Sequence, residues 1–179
     1  LAGDSDGILE LSAEIADGQD LTVLFSDPVL EISLTPNLGH CMSVLGVARI
    51  LAALLQKKIK KPAYTLPPEK PGGLKISIQD AALCPRYTAR ILKNLQLAPT
   101  PAWLSQALLN LGMNPINAIV DVTNYVLMMT GQPLHAFDLD KIAGSEIQVK
   151  TLKEAFSFLC LDGTERKLPA ATLIIADQQ

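Results

Sequence analysis

The chain is poor in cysteine, and its three cysteines show no pairing pattern. Cys41, Cys84 and Cys160 are odd in number, lie far apart, and form neither a C-x-x-C pair nor a Cys/His ligand spacing. Reduced, packed thiols of a cytoplasmic protein are expected. His40-Cys41 offers two adjacent side chains without further ligands, so no metal is assigned. No apolar run reaches the ~20 residues that cross a bilayer. The first residues, Leu1-Ala-Gly-Asp-Ser-Asp-Gly7, lack the basic and apolar regions of a secretion signal, so no membrane attachment is expected. Neither G-x-G-x-x-G nor G-x-x-x-x-G-K-[ST] occurs, so this piece by itself is not expected to bind ATP, and the missing G-x-S-x-G argues against a serine nucleophile. A net charge of -3 and a pI near 5.3 give no overall basic field. Nucleic-acid contact would have to come from a local patch.

What is present is apolar material for a core: 49% of the 179 residues are hydrophobic. Three short strand patterns open the chain, Gly7-Ile-Leu-Glu-Leu11, Leu21-Thr-Val-Leu-Phe25 and Val29-Leu-Glu-Ile-Ser-Leu34, the last with a period of two. Val44, Leu45, Val47, Ala48, Leu51, Leu54 and Leu55 then recur at helical spacing, with Ser43 placed as the cap. Four prolines and a glycine pair between Lys61 and Gly73 have linker composition. Beyond them, 74–79 and 84–92 read as strands, and Thr100-Pro101 reads as the cap and first residue of a helix that Gly112 ends. A second helix begins near Asn117 and stops at Gly131. Ile147, Val149 and Thr151 mark a strand, Asp162-Gly163 marks a hairpin between 156–161 and 165–168, and Thr172 to Ala176 is strand-like. The expected class is α+β: a small mixed α/β domain over 1–65, a linker over 66–73, and an α+β domain over 74–179 with an antiparallel sheet and two covering helices. A start without Met and a stop directly after an apolar segment suggest a piece of something larger.

Chemistry concentrates between Asp121 and Asp138. Asp121, Asn124 and Tyr125 share one face of the second helix, either lining a pocket or bonding neighbouring loops. His135 follows the Gly131-Gln-Pro turn, two residues before Phe137, with Asp138 near enough in sequence to orient it; its ordinary pKa of ~6.5 suits an acid, a base or a hydrogen-bond donor, and a structural histidine is the competing reading. Arg86 and Arg90, four apart in an expected strand, point to one face and suit phosphate or carboxylate, or pair internally with Asp80 or Asp121. Lys57, Lys58, Lys60 and Lys61 form the one basic patch, read as a solvated helix end or as an RNA contact. Trp103 and the Met128-Met129 pair read as core.

Taken in order, Val29-Leu-Glu-Ile-Ser-Leu-Thr-Pro-Asn37, Cys41-Met-Ser-Val-Leu-Gly-Val-Ala-Arg49, Cys84-Pro-Arg-Tyr-Thr-Ala-Arg90, Pro115-Ile-Asn117, Asp121-Val-Thr-Asn-Tyr-Val126 and Gly131-Gln-Pro-Leu-His-Ala-Phe-Asp138 resemble the beta subunits of bacterial phenylalanyl-tRNA synthetases. The resemblance spans almost the whole chain. It implies that 1–65 is the second half of a small domain in the N-terminal region, entered from an inserted OB-fold module, and that 74–179 is the first half of an editing domain that hydrolyses tyrosine mischarged onto the phenylalanine tRNA. His135 and Asn124 would line the editing pocket, with Asp121 and Asp138 behind them. Arg86, Arg90 and the lysines would meet the tRNA. ATP and magnesium would serve the whole synthetase through its alpha subunit, in an assembly of two alpha and two beta subunits, with no cofactor in this piece.

Two departures accompany the resemblance. Asn114 stands where the family usually has arginine, and His40 stands where an acidic residue is common. The family's glycine-rich segment and the glutamate that reads the tyrosine hydroxyl would lie beyond Gln179, which implies a half-built pocket and an inactive piece. Two further readings stay open: a scaffold and tRNA-docking module without editing activity, and a stand-alone editing protein.

Overall fold

The computed structural model describes residues 15–20, 22, 28–60, 62–68, 70 and 72–178. Described elements run, in chain order, as α1 (Val44–Leu54), β1 (Lys75–Ile78), α2 (Ala102–Asn110), α3 (Ala118–Thr130), β2 (Glu146–Thr151), β3 (Phe156–Leu159), β4 (Glu165–Leu168) and β5 (Leu173–Ala176), with 3-10 turns at Pro36–Cys41, Leu139–Lys141 and Ala143–Ser145. The mixed α+β class follows. The expected strand 7–11 lies outside the described residues, as does 21–25 apart from Thr22.

The chain divides into two compact units, Leu1–Pro62 with Gln96–Ala136, and Ala63–Leu95 with Phe137–Gln179. This spatial grouping crosses the chain three times, whereas the linker composition suggests one crossing.

In the first unit α3 packs against both α1 and α2. Ser43 begins α1 as expected: its backbone is extended (φ -171, ψ 161) and its hydroxyl oxygen accepts from the Gly46 N–H at 2.9 Å. That bond satisfies one of the donors every helix start leaves open. Asn117 does the same for α3, accepting from the Ile119 and Val120 N–H groups at 3.1 Å each. Gly131 ends α3 in the left-handed region (φ 77), where a glycine carries no Cβ penalty, and donates to the Leu127 carbonyl at 2.7 Å. Leu104 and Leu108 of α2 are fully buried, each contributing about 2 kcal/mol on transfer grounds.

Four expectations are corrected. Thr100 does not cap α2; Pro101 holds the cap position without a side-chain bond, and the Thr100 hydroxyl instead reaches Asp121. Residues 29–34 form no strand, because a period of two marks a half-buried surface only where a ladder partner exists, and here Val29, Leu30 and Ile32 are all exposed. Residues 84–92 also lack ladder pairing. Asp80 turns the chain there, its carboxylate accepting from the Ala82 and Leu83 N–H groups at 3.1 Å each, and Pro85 has no N–H to offer a ladder. Trp103 is no core residue: it is 62% exposed and meets Tyr125 edge to face, with ring centroids 5.5 Å apart.

The second unit holds the strands. β2 is central, pairing parallel with β1 (Ile76 opposite Ile147) and antiparallel with β5 (Val149 opposite Ile175), so the sheet is mixed. Ile147 and Val149 supply its buried apolar side chains. β3 and β4 form a separate hairpin, Phe158 opposite Arg166. Its turn is the one the Asp-Gly pair predicts. Gly163 has φ 77, and the Asp162 carboxylate accepts from the Thr164 N–H at 2.9 Å. The two helices read as covers for the sheet group with α1 in the first unit.

Candidate functional site

The site is built on α3, from Asp121 in its first turn, and on the segment that leaves its end. Heptad-like spacing sets Asp121, Asn124 and Tyr125 on one side of this helix, and their surroundings differ sharply. Asp121 is fully buried. Its carboxylate takes the Thr100 hydroxyl and the Ile116 N–H, the latter at 3.0 and 3.2 Å to its two oxygens. All its bonds therefore go to loops that flank α2 and α3, which makes it a tie between elements. Asn124 is half-buried three residues further on, and Tyr125 rests on Trp103.

Gly131 turns the chain out of α3 and delivers 132–135 to the surface. Thr130 braces that exit: its hydroxyl donates to the Val126 carbonyl at 2.7 Å and accepts from the Gln132 N–H at 3.1 Å. Pro133 then fixes φ near -65° and leaves no N–H to satisfy. His135 is exposed and partnered. A histidine presented this way can bind, orient or exchange a proton with a ligand, since imidazole both donates and accepts.

The other expected residues are distributed as follows. Asp138 falls in the second unit, where its carboxylate caps the turn Leu139–Lys141, accepting from the Asp140 N–H at 3.2 Å and lying 3.6 Å from the Lys141 ammonium. Arg86 and Arg90 also belong to the second unit and are exposed on irregular backbone, so the same-face argument drawn from strand spacing does not apply. Lys57, Lys58 and Lys60 are exposed beyond the end of α1, and Lys61 lies outside the described residues. A cavity of about 380 Å³ in the second unit is lined by Gly73, Ile91, Lys93, Leu139, Asp140, Ile142 and Ser145. None of the candidate residues lines it. Among the described residues no three His, Cys, Asp or Glu side chains converge as a metal site, and no helix is long and apolar enough to cross a membrane.

Two features escaped the sequence reading. Thr100 is a partner of Asp121 from 21 positions away, and no local pattern signals so distant a bond. The Met42-Ser43 segment lies against the Gly131 turn: a Cβ placed on Gly131 would stand 3.3 Å from the Met42 carbonyl oxygen and 3.5 Å from the Ser43 Cβ.

Comparison with known proteins gives this geometry its context. Residues 83–179 match the B3/4 domain. Over the whole chain, the phenylalanine–tRNA ligase beta subunit of Protochlamydia amoebophila is 42% identical across 182 aligned residues, covering 100% of this chain and 23% of the relative. Those of Carboxydothermus hydrogenoformans and Oleidesulfovibrio alaskensis are each 44% identical, covering 99% of this chain and 23% of their own length. The chain thus spans about a quarter of the length of these relatives.

Proposed function

This chain belongs to the B3/4 domain family, and on that premise we propose that it carries part of the editing site of a phenylalanine–tRNA ligase beta subunit, hydrolysing tyrosine wrongly esterified to the phenylalanine tRNA. The observation that carries the reading is the position of His135: an exposed imidazole just past the Gly131 cap of α3, inside the stretch matched by the B3/4 domain, with half-buried Asn124 on the same helix. Tyrosine differs from phenylalanine by one hydroxyl, and an apolar pocket rejects such an addition weakly. A second site that removes the wrong product offsets that weakness.

The reaction needs little covalent machinery. Water attacks the ester carbonyl carbon, the bond to the ribose oxygen breaks, and free tyrosine and uncharged tRNA leave. What the protein must supply is a held ester, a placed water and a donor for the developing oxyanion. His135 would hold the ester or the water. Asn124, with an amide that donates and accepts, would contact the same ligand, and Asp121 would act only by fixing the helix that bears it.

In this reading 1–65 is part of a small N-terminal-region domain, 66–73 a linker and 74–179 the first half of the editing domain. The piece would be inactive alone in the cytoplasm and work within a beta subunit paired with an alpha subunit, two of each. ATP and magnesium would belong to phenylalanine activation in that assembly, and no residue of this chain is assigned to either. Lys57, Lys58 and Lys60 in the first unit, and separately Arg86 and Arg90 in the second, all exposed, would each offer positive charge to the phenylalanine tRNA, which is also what a pure docking module would use.

The test is release of tyrosine from tyrosyl-tRNA by the assembled synthetase carrying His135→Ala. Loss of a positioning contact predicts a fall of roughly 10²-fold in deacylation with phenylalanine charging retained. Deacylation at the unsubstituted rate would remove His135 from the site.

A further inference from the structure

We infer that the segment His40–Ser43 is a positioning element for the His135 turn, so that the stretch before α1 belongs to the editing site as much as the B3/4 residues do. The inference rests on the proposed editing role of His135 and extends it to residues outside the matched domain. Two glycines on different helices bracket this segment. On the α1 side, a Cβ on Gly46 would lie 2.3 Å from the His40 carbonyl oxygen and 2.9 Å from the Cys41 Cα, so only glycine lets α1 approach so closely. On the α3 side, Gly131 has the left-handed φ and the close approach to Met42 and Ser43 given above.

The segment between them is itself fixed. Cys41 is buried at 4% exposure, Met42 donates its N–H to the Gly39 carbonyl at 3.2 Å, and the Ser43 hydroxyl oxygen is held by the Gly46 N–H. A rigid spacer therefore sits between the start of α1 and the end of α3, four residues before His135. The turn from Gly131 to His135 has Thr130 and Pro133 to stiffen it from within; Met42 and Ser43 stop it from outside. Moving that stop moves the backbone that carries the imidazole, and a displacement near 1 Å at a site of this kind costs on the order of 10²-fold in rate.

Gly112 provides the control. It ends α2 with φ 74, as Gly131 ends α3 with φ 77, but nothing lies within 4 Å of the Cβ it would carry. Gly112→Ala and Gly131→Ala therefore impose similar backbone strain, and only the second presses on the Met42 carbonyl oxygen, at 3.3 Å from the new methyl group. In the assembled synthetase we expect Gly131→Ala to lower kcat for tyrosyl-tRNA deacylation at least tenfold, with KM and phenylalanine charging within about twofold of the unsubstituted enzyme, by the same positioning argument. Gly112→Ala should change neither. Equal losses in the two glycine variants, or unchanged deacylation in Gly131→Ala, would each overturn the inference. If instead His135→Ala leaves deacylation intact, the editing reading itself fails, whatever the glycine variants do.

Discussion

Glu146 shows how one side chain gives this chain a pH dependence. It is buried at the start of β2, and its carboxylate accepts from the Gln178 amide at 3.0 Å and lies 3.2 Å from the Lys75 ammonium. The Gln178 hydrogen bond, followed by Lys75 and Ser77, lowers its pKa from 4.5 to about 2. A carboxylate depressed in the folded state adds stability that is fully present above its unfolded pKa and is lost as pH falls through the folded one. Unfolding in urea, followed between pH 6 and 2, should therefore show stability falling mainly below about pH 4.5, and Glu146→Gln should flatten that slope while lowering stability at neutral pH. An unchanged slope in the variant would assign the acid sensitivity to other carboxylates. Gly144 supports the same corner: at its φ of 66 a larger residue is strained, and a Cβ 2.0 Å from the Gln178 amide would displace the group that bonds Glu146.

At the scale of elements, Asp121 joins α3 to the approach of α2. Replacing it with Ala removes both partly buried hydrogen bonds, to the Ile116 N–H and the Thr100 hydroxyl, each worth about 1.5–3 kcal/mol as a bond to a charged group. Asp121→Ala should lose about 3 kcal/mol in denaturant unfolding, and Asp121→Asn, which keeps one acceptor, should lose less. A loss below about 0.5 kcal/mol for Asp121→Ala would mean the bonds to Thr100 and Ile116 hold nothing.

Elements with their own local signals were legible in the sequence. Ser43, Asn117 and Gly131 mark helix ends through bonds to their nearest neighbours, and Asp162-Gly163 fixes its turn within four residues. Residues 29–34 and 84–92 were misread because alternation describes a surface and a strand also requires a partner, which no short window contains. The same limit hid Thr100 and the Met42-Ser43 contact. Both depend on segments meeting across more than twenty residues of chain.

For the whole molecule, the stretch from Asp121 to Asp138 was legible as polar side chains around a helix end, and His135 is exposed four residues past the Gly131 cap. Its division of labour was not legible. Asp121 ties α3 to neighbouring loops, Asp138 caps a turn of its own, and the arginines stand on irregular backbone. The exposed apolar side chains of the hairpin, Phe156, Phe158 and Leu159, show why alternation alone did not reveal a core there: an isolated pair of strands has no second layer to bury them.

The central claim is that the turn bearing His135 contacts the aminoacyl ester at the end of the tRNA. It is tested most directly by a crystal structure of the full-length beta subunit, assembled with its alpha partner, bound to a non-hydrolysable amide analogue of tyrosyl-adenosine. The account predicts an imidazole nitrogen of His135 within about 3.2 Å of a polar atom of the analogue, with Asn124 facing the same ligand. An analogue bound at a distance from His135, with the 131–135 backbone unchanged and untouched, would contradict it.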